Sequence, residues 1–334
     1  MFAAISNLFG YLLNFLYELV NNNFGFAIIL FSILLRIILL PVTIKQQKSM
    51  EKTNKIQGEL KSLQFKYKNN PEMLNKETME LYKREKISPF SGCLSAIVQI
   101  IIILSVFYLV SQPLTYMKKA NDKNPELKTV VEQYKNEIKE SNNNKTRYIE
   151  IATIARIRDD YNEIIKNENN NEDNKEVIEN QEKPESTEQT EPVEKQEEKE
   201  DLGKKKEILE KLNINMEFLG LDLSKVPTEN LKDFTVYIIP VLYVISSFIS
   251  IKLTTNTQNK AKKKEEKNDN KEEVDAMSQM SKSMSYMMPI MTLSIAFIAP
   301  LGLALYWFVS NALMIVERFV IKKLFEDKGD EQNA

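Results

Sequence analysis

Four stretches of the chain are nearly free of charge and rich in large apolar residues. They cover residues 24–44, about 90–111, 234–251 and 286–316. A helix rises 1.5 Å per residue, so about 20 apolar residues are enough to cross the hydrocarbon core of a bilayer. The segments between these stretches are dominated by Lys, Glu and Asn. This pattern predicts an all-α membrane protein with large polar connections.

The last apolar stretch is too long for a single crossing, and it contains Pro300 and Gly302. Because proline removes a helical hydrogen bond and disfavours helix in the residue before it, we expect a break at this point. We therefore predict five transmembrane helices. Their expected bounds are 24–44, 89–112, 234–253, 284–299 and 300–320.

Residues 2–20 form a separate apolar segment before the first span. Small or polar residues recur along it at helical spacing, which leaves one narrow polar stripe on a broad apolar face. The residues of that stripe are Asn7, Gly10, Asn14 and Glu18. We predict that residues 1–23 form an amphipathic helix on the outer surface of the membrane. A membrane-crossing helix and a cleaved signal peptide are the alternatives, although no basic segment and no small-residue cleavage site flank it.

The charges of the polar connections predict which side of the membrane each one occupies. Residues 1–35 contain no Lys or Arg, whereas residues 45–88 contain eleven against six Glu. The connection 113–233 has 21 basic and 29 acidic residues, so its net charge is negative. Because Lys and Arg accumulate on the cytoplasmic side, we place the N-terminus and 113–233 outside. The segments predicted to lie in the cytoplasm are 45–88, 254–283 and 321–334.

Two of the polar connections carry enough apolar residues to fold. Residues 45–88 are predicted to form a helical hairpin that turns at Pro71, with an apolar stripe along each of its helices. In the outer connection, residues 126–166 and 203–215 are predicted to be helical. Residues 168–201 contain almost no large apolar residue, so we predict disorder there.

The composition argues against an enzyme. The chain has no histidine and a single cysteine, Cys93, which excludes a Cys/His zinc site, an intramolecular disulfide and a Ser–His–Asp triad. The eight glycines are scattered singly, so the sequence offers neither a phosphate-binding loop nor a dinucleotide-binding turn. We expect no enzymatic activity, no cofactor and no metal site.

Arg36 lies inside the first predicted span, where a cation costs about 2.5–3.5 kcal/mol on an insertion scale. It precedes Lys45 by about 13 Å at helical rise, which is at the limit of what a snorkelling side chain reaches. No acidic residue lies in the apolar stretches of the other spans, so we expect Arg36 to have no internal partner. We therefore predict a water-filled cavity, open to the cytoplasm, in which Arg36 attracts an anion.

Four segments of the sequence resemble the YidC family of membrane protein insertases. They are IILFSILLRIILLPVTIKQQKSM (28–50), MELYKREKISPFSGCLSAIVQI (79–100), FLGLDLSK (218–225) and SYMMPIMTLSIAFIAPLGLALYWFVSNALMIVE (285–317). Both the motifs and their order match that family. The resemblance extends over residues 24–112 and 216–320.

This resemblance implies five helices around a hydrophilic groove that opens to the cytoplasm and to lipid. It also implies a protein of the bacterial cytoplasmic membrane that inserts newly made membrane proteins, alone or with the Sec translocon, without nucleotide hydrolysis. The implied partners are nascent membrane proteins, the lipid bilayer and, in some relatives, the ribosome, without direct contact to nucleic acid. The residues that fall on groove positions of the family are Arg36, Ser32, Gln99, Trp307 and Ser310.

The sequence departs from the family pattern in several places, and its connection 113–215 is longer and more polar than the resemblance leads us to expect. Ile100 and Ile101 follow Gln99 where the family usually has a proline, and the tail 326–334 lacks the basic extension that helps some relatives hold ribosomes.

Other interpretations of the same residues are open. Arg36 could bond backbone carbonyls between helices, while Gln99, Ser310 and Trp307 could serve helix packing alone. A solute transporter or anion channel could use Arg36 for selectivity, although the sequence has no internal repeat. A scaffold that holds membrane subunits without inserting them is a further alternative.

Overall fold

The fold is built almost entirely of helices. The computed structural model describes residues 2–86, 91–141, 147–179, 193–263 and 294–331. Its helices are α1 (Phe2–Leu19), α2 (Phe24–Lys55), α3 (Gln57–Lys66), α4 (Pro71–Arg84), α5 (Ser91–Ser111), α6 (Pro113–Tyr116), α7 (Pro125–Ser141), α8 (Ile149–Glu179), α9 (Val193–Leu212), α10 (Ile238–Lys263) and α11 (Leu301–Glu331). The chain divides into two compact units, Met1–Ala27 with Val106–Ser224 and Ile28–Ser105 with Lys225–Ala334.

Three segments of the described chain are long and apolar enough to cross a membrane. They are Phe24–Ser49, Phe234–Leu253 and Leu301–Ile321, and they coincide with the first, third and fifth predicted spans. α5 covers the position of the second predicted span and has a shorter apolar stretch, Ile100–Ser111. The fourth predicted span, 284–299, lies mostly outside the described residues, of which 294–298 are helical. Apolar helices of membrane-spanning length are therefore confirmed, and their total of five stays a prediction.

α2 is longer than predicted. It does not end at residue 44 but continues to Lys55, with Pro41 inside the helix. The residues that follow the apolar stretch are mostly Lys, Gln, Glu and Met, which are good helix formers, so the helix has no reason to end where its hydrophobicity ends. The helix therefore runs past the predicted boundary between span and hairpin at residue 45, and the end of the span itself stays a prediction.

α3 and α4, which follow α2 in the chain, pack against each other. The Asn70 side chain caps α4 by accepting a hydrogen bond of 3.1 Å from the backbone N–H of Met73, and Pro71 occupies the first turn. Ile56 and Leu81 are the buried residues of the small core between them. Leu60, Leu63 and Tyr82 pack around that core. The location of this pair of helices in the cytoplasm stays a prediction.

α10 and α11 pack along one another and run in the same direction. Contacts between them follow in chain order as Tyr243 with Trp307, Ser246 and Ser247 with Asn311, and Ser250 with Arg318. The residue numbers rise along both helices together, which only parallel helices allow. The chain therefore returns to the starting end of α10 before α11 begins.

The polar outer connection contains more helix than predicted. α8 extends to Glu179 and α9 begins at Val193, so the prediction of disorder over 168–201 is wrong for 168–179 and 193–201. Residues 180–192 lie outside the described residues. α9 packs against α8, and Lys206 pairs with Glu168 across the two helices. Since Glu, Lys and Gln favour helix once a packed turn exists, the helices extend into the polar sequence.

One short β-hairpin lies within the FLGLDLSK segment, which corrects the all-α prediction in this detail. Its strands are β1 (Glu217–Phe218) and β2 (Leu221–Asp222), joined by Leu219 and Gly220. The φ angles of 50° and 78° at these two residues are typical of a tight hairpin turn. The Phe218 ring covers Gly25 of α2 so closely that a Cβ atom on Gly25 would lie 2.3 Å from the ring.

Candidate functional site

Arg36 lies in the apolar part of α2 and reaches across to α11. Its Nη2 donates a hydrogen bond of 2.9 Å to the backbone carbonyl of Ser310, and its Nη1 lies 3.2 Å from Oε2 of Glu317. The next two residues of α2, Ile37 and Ile38, are largely exposed. α2 thus presents an apolar surface on one side and a cation to α11 on another.

Glu317 is the partner that the sequence analysis missed. The expectation that Arg36 has no internal partner is wrong, because the Glu317 carboxylate pairs with it and is only 7% exposed. The apolar stretch used for the prediction ends at residue 316, one residue before this carboxylate. Ser310 and Glu317 are separated by about two helical turns, so both present their groups to the same side of α11.

The two members of this pair are not equally enclosed. The Arg36 side chain is 22% exposed, about three times the fraction of Glu317. The other carboxylate oxygen of Glu317, Oε1, is buried and has no hydrogen-bond partner among the described residues. A guanidinium offers five N–H donors, and the two contacts to α11 use only part of that capacity. The site therefore holds a cation that the surface can reach, together with an incompletely bonded carboxylate behind it.

A line of polar contacts joins α11 to α10 beside this pair. The Asn311 amide donates to the hydroxyls of Ser246 and Ser247, each at 3.0 Å, and Arg318 donates to the Ser250 carbonyl at 3.3 Å. Interhelical hydrogen bonds of this kind fix the packing of helices in a membrane. The predicted site did not include these residues, although polar side chains at helical spacing inside apolar spans are a detectable signal.

The predicted site residues fall into three groups in the structure. Arg36 and Ser310 are brought together through the Ser310 carbonyl, and Trp307 lies about one turn before Ser310 with its ring 6.1 Å from that of Tyr243. Ser32 is 1% exposed and donates its hydroxyl to the Ile28 carbonyl at 2.7 Å, so its hydrogen bond stays within α2. Gln99 lies in α5, and its side chain is outside the part that the structure describes.

Large apolar side chains cover the outward faces of the helices around the pair. α10 exposes such residues along most of its apolar length, and α11 does so near Glu317. They are Ile238, Val241, Leu242, Ile245, Phe248 and Ile249 on α10, and Val316, Phe319 and Val320 on α11. Apolar patches of this extent are unusual for a protein surrounded by water and are typical of a surface that contacts lipid or another apolar partner.

Comparison with known protein families gives a match over most of the chain. The family described as "60Kd inner membrane protein" matches residues 15–121 and 207–328. The matched ranges contain α2 and most of α11, including Arg36 and Glu317. Residues 122–206, which hold α7, α8 and much of α9, lie outside the match.

Individual relatives carry the name "Membrane protein insertase YidC". That of Fusobacterium nucleatum is 44% identical over 109 residues, which are 31% of this chain and 53% of the relative. That of Caldanaerobacter subterraneus is 43% identical over 105 residues, 31% of this chain and 50% of the relative. That of Francisella tularensis subsp. novicida is 38% identical over 109 residues, which are 33% of this chain and 20% of the relative.

The aligned part of the chain spans about half the length of the first two of these relatives and a fifth of the third. The family match, in contrast, includes more than half of this chain and both helices that carry the Arg36–Glu317 pair. The chain belongs to the 60Kd inner membrane protein family, to which the YidC insertases belong.

Proposed function

We propose that this protein is a membrane protein insertase, which moves newly made membrane proteins into the bilayer and assists their folding without enzymatic chemistry or a cofactor. The observation that carries this proposal is a partly exposed arginine, Arg36, paired with Glu317 between apolar helices of a member of this family. The relatives named insertases support the same function. A groove between α2, α5, α10 and α11 would receive the substrate.

Substrate entry is proposed to proceed by exchange of carboxylates at Arg36. An acidic tail of the incoming protein approaches the exposed part of Arg36 and takes the place of Glu317 at Nη1. The exchange keeps Arg36 paired throughout, whereas the displaced Glu317 carboxylate has to gain access to water, because a buried charge without a partner carries a large penalty. Glu317 thus keeps Arg36 neutralised in the resting protein, and the substrate is selected by its own negative charge.

The apolar part of the substrate is proposed to leave along the exposed faces of α2, α10 and α11. Side chains such as Ile37, Ile245 and Phe248 are about half exposed or more, so a substrate helix would exchange lipid contacts for these contacts at little cost. We propose Trp307, Ser310 and Gln99 as further substrate contacts along the groove. Ser32, whose hydroxyl bonds within α2, is proposed to form part of the wall next to Arg36.

The start of α11 lies close to the start of α10, and this position supports a five-span topology. α10 has 26 residues, about 39 Å at helical rise, and ends at Lys263. Yet the Phe297 ring lies 6.1 Å from that of Tyr237 at the start of α10, and the Leu301 N–H donates to the Lys225 carbonyl at 2.9 Å. A fourth crossing at 284–299 would make this return. With the N-terminus outside, five crossings place the basic segments in the cytoplasm.

The remaining placements follow from that topology. We propose that the protein resides in a bacterial cytoplasmic membrane. In this placement α1 lies on the outer surface of that membrane, α3 and α4 lie in the cytoplasm, and α7, α8 and α9 lie on the extracytoplasmic side. Nascent membrane proteins and lipid are the proposed partners, with the Sec translocon and the ribosome as further ones. The described contacts assign no residue to either of these two.

Reconstitution in liposomes tests the proposed function directly. The substrate is a single-span protein with a short acidic N-terminal tail, and insertion is measured by protection of that tail from external protease. We expect insertion above that of empty liposomes, a strong decrease in Arg36→Ala, and partial activity in Arg36→Lys. Arg84→Ala serves as the control, because Arg84 is an exposed arginine of α4.

The outcomes separate the function from its mechanism. If the wild-type protein inserts no more substrate than empty liposomes do, the insertase proposal is wrong. If Arg36→Ala equals wild type, the insertase proposal survives and the exchange at Arg36 does not. Anion or solute flux that depends on Arg36, without insertion, would favour a channel or transporter, and improved folding of a substrate already inserted would favour a scaffold.

A further inference from the structure

α1 leaves one apolar face without a protein partner among the described residues. Four large side chains at helical spacing are each more than half exposed. They are Leu8, Tyr11, Phe15 and Leu19. The opposite face, with Gly10 and Leu13, is buried, and Gly10 packs so tightly on α6 that a Cβ atom there would lie 2.0 Å from the Tyr116 carbonyl oxygen. The exposed face is therefore fixed in direction and needs an apolar neighbour.

Two consecutive lysines lie beside α1, directly after α6. The Lys119 ammonium donates to the Asn7 carbonyl at 3.1 Å and lies 3.7 Å from the centre of the Tyr11 ring. The Lys118 ammonium lies 5.0 Å from the centre of the Tyr17 ring. Because Tyr11 belongs to the exposed apolar face, Lys119 places a positive charge at the rim of that face.

These lysines lack a carboxylate partner within the described part of the chain. Their described contacts are a backbone carbonyl and aromatic rings, which attract a cation more weakly than a carboxylate does. Burial lowers the pKa of both Lys118 and Lys119, and Lys123 nearby lowers that of Lys119 further. Glu18 raises the pKa of Lys118 through its charge but forms no ion pair with it. An added anion at this place would therefore be stabilising.

The position of the lysines in the chain fits the outer boundary of the membrane. α5 ends at Ser111 and α2 begins at Phe24, and α1 and α6 lie within the same compact unit as these two helix ends. Lipid headgroups of the outer leaflet occupy that level. An exposed apolar face with lysines at its rim has the chemistry of an interfacial helix that binds anionic lipid.

We propose that Lys118 and Lys119 bind the headgroup of an anionic phospholipid of the outer leaflet, whose acyl chains cover Leu8, Tyr11 and Phe15. The phosphodiester supplies an ion-pair partner that the described residues do not give these lysines. This inference rests on the proposed outer location of α1. It gives α1 a second role, because a bound lipid would hold the start of α2 at the level of the outer leaflet.

The test measures lipid preference of the full chain in detergent micelles. Phosphatidylglycerol and phosphatidylcholine with identical acyl chains are titrated separately, and bound lipids are counted by native mass spectrometry. We expect wild type to bind phosphatidylglycerol more tightly. The double variant Lys118→Gln/Lys119→Gln should lose about fivefold in affinity for each lysine removed. The matched control Lys204→Gln/Lys205→Gln removes the same charge from an exposed part of α9 and should leave the preference unchanged.

Three results would overturn the proposal: no preference for phosphatidylglycerol in wild type, an unchanged preference in the double variant, or an equal loss in both double variants. If the glutamine variant fails to fold, Lys118→Arg/Lys119→Arg should fold and keep the preference for phosphatidylglycerol. Loss of that preference in the arginine variant refutes the site. Glycerol phosphate added in excess should not displace the lipid, since free phosphate lacks the acyl chains.

A second measurement separates this proposal from the location of α1. An environment-sensitive dye is attached at Leu8→Cys in a Cys93→Ser background, and the protein is placed in neutral liposomes. A dye that reports lipid, together with no preference for phosphatidylglycerol, leaves α1 at the membrane surface and refutes the headgroup site alone. A dye that reports water refutes the location of α1, and the lipid site with it.

Discussion

The Arg36–Glu317 pair makes a quantitative prediction about stability. Replacing Arg36 by Met leaves the carboxylate of Glu317, 7% exposed, without its partner, and its Oε1 already lacks a hydrogen bond among the described residues. Removing one member of a buried ion pair costs about 3–5 kcal/mol. Since 22% of the Arg36 side chain is exposed, water reaches part of the pair, and we expect the free energy of unfolding to fall by about 3 kcal/mol.

The reverse change should cost less. In Glu317→Gln, Arg36 keeps its 2.9 Å hydrogen bond to the Ser310 carbonyl and its access to the surface. We therefore expect the free energy of unfolding to fall by about 1–2 kcal/mol, the cost of one charged hydrogen bond. The double variant Arg36→Met/Glu317→Gln removes both charges of the pair, so no Glu317 carboxylate is left buried without Arg36. Its free energy of unfolding should exceed that of Arg36→Met, which gives a coupling energy of about 2 kcal/mol between the two residues.

Trp307 provides the assay for this cycle. It is the only tryptophan of the chain, and it lies on α11 about one turn before Ser310. Its fluorescence during unfolding in mixed micelles of SDS and a mild detergent therefore reports on this helix. Arg84→Met is the control, because Arg84 pairs with Glu59 at the surface, where an ion pair contributes little. If Arg36→Met is no less stable than this control, or if the double variant is less stable than both single variants, the reasoning from the buried pair is refuted.

Three further predictions concern other contacts of the fold. Asn311→Leu removes two hydrogen bonds to serines of α10 and should lower stability by about 1–2 kcal/mol, measured by the same Trp307 assay. Gly25→Ala places a methyl group against the Phe218 ring and should cost about 1–3 kcal/mol; thermal unfolding should show partial recovery when Phe218→Ala is added. A hydrogen bond from Lys225 and those from the N–H and hydroxyl of Thr235 hold the pKa of Asp233 at about 2, below its usual 3.8. The stability it contributes is therefore present above about pH 4 and lost as the pH falls towards 2, and Asp233→Asn should flatten that part of a stability–pH curve.

Local patterns in the sequence were sufficient for three apolar helices of membrane-spanning length and for the presence of Arg36 inside one of them. Apolar stretches of membrane-spanning length need no information from distant residues, and a single cation inside one of them is visible without a structure. What hydropathy does not fix is where a helix ends. α2 continues to Lys55 because polar helix formers follow the apolar ones. Glu317 lies within the predicted fifth span, 300–320, and was overlooked because only the uncharged stretch that ends at residue 316 was considered.

Contacts between distant residues were beyond the reach of the sequence. Arg36 and Glu317 are 281 residues apart, and no local period connects them. The outer connection gives a second example. Its Glu150 is nearly fully buried and accepts hydrogen bonds from the N–H and hydroxyl of Thr115 and from Lys135. This buried network joins α6, α7 and α8, whereas the sequence predicted only that residues 126–166 are helical.

α11 is central to the proposed mechanism, because it contacts both α10 and α2 through polar bonds of different kinds. Asn311 joins it to α10 through neutral hydrogen bonds, which an incoming carboxylate has no reason to replace. Arg36 joins α11 to α2 largely through its ion pair with Glu317, in which a substrate carboxylate can take the place of Glu317. An acidic substrate should therefore loosen α2 from α11 and leave α10 and α11 together.

Spin labels on exposed positions of these helices test this difference. The first pair of labels is attached at Ile37 of α2 and Phe319 of α11 and measures the distance between these helices. The second pair is attached at Ile245 of α10 and Phe319, and all three residues are exposed. Addition of a peptide with an acidic tail should broaden or lengthen the first distance distribution and leave the second unchanged. A peptide with a neutral tail should change neither. If the distance between α10 and α11 changes instead, the Arg36–Glu317 pair is not the contact that opens, and substrate entry has to be sought between those two helices.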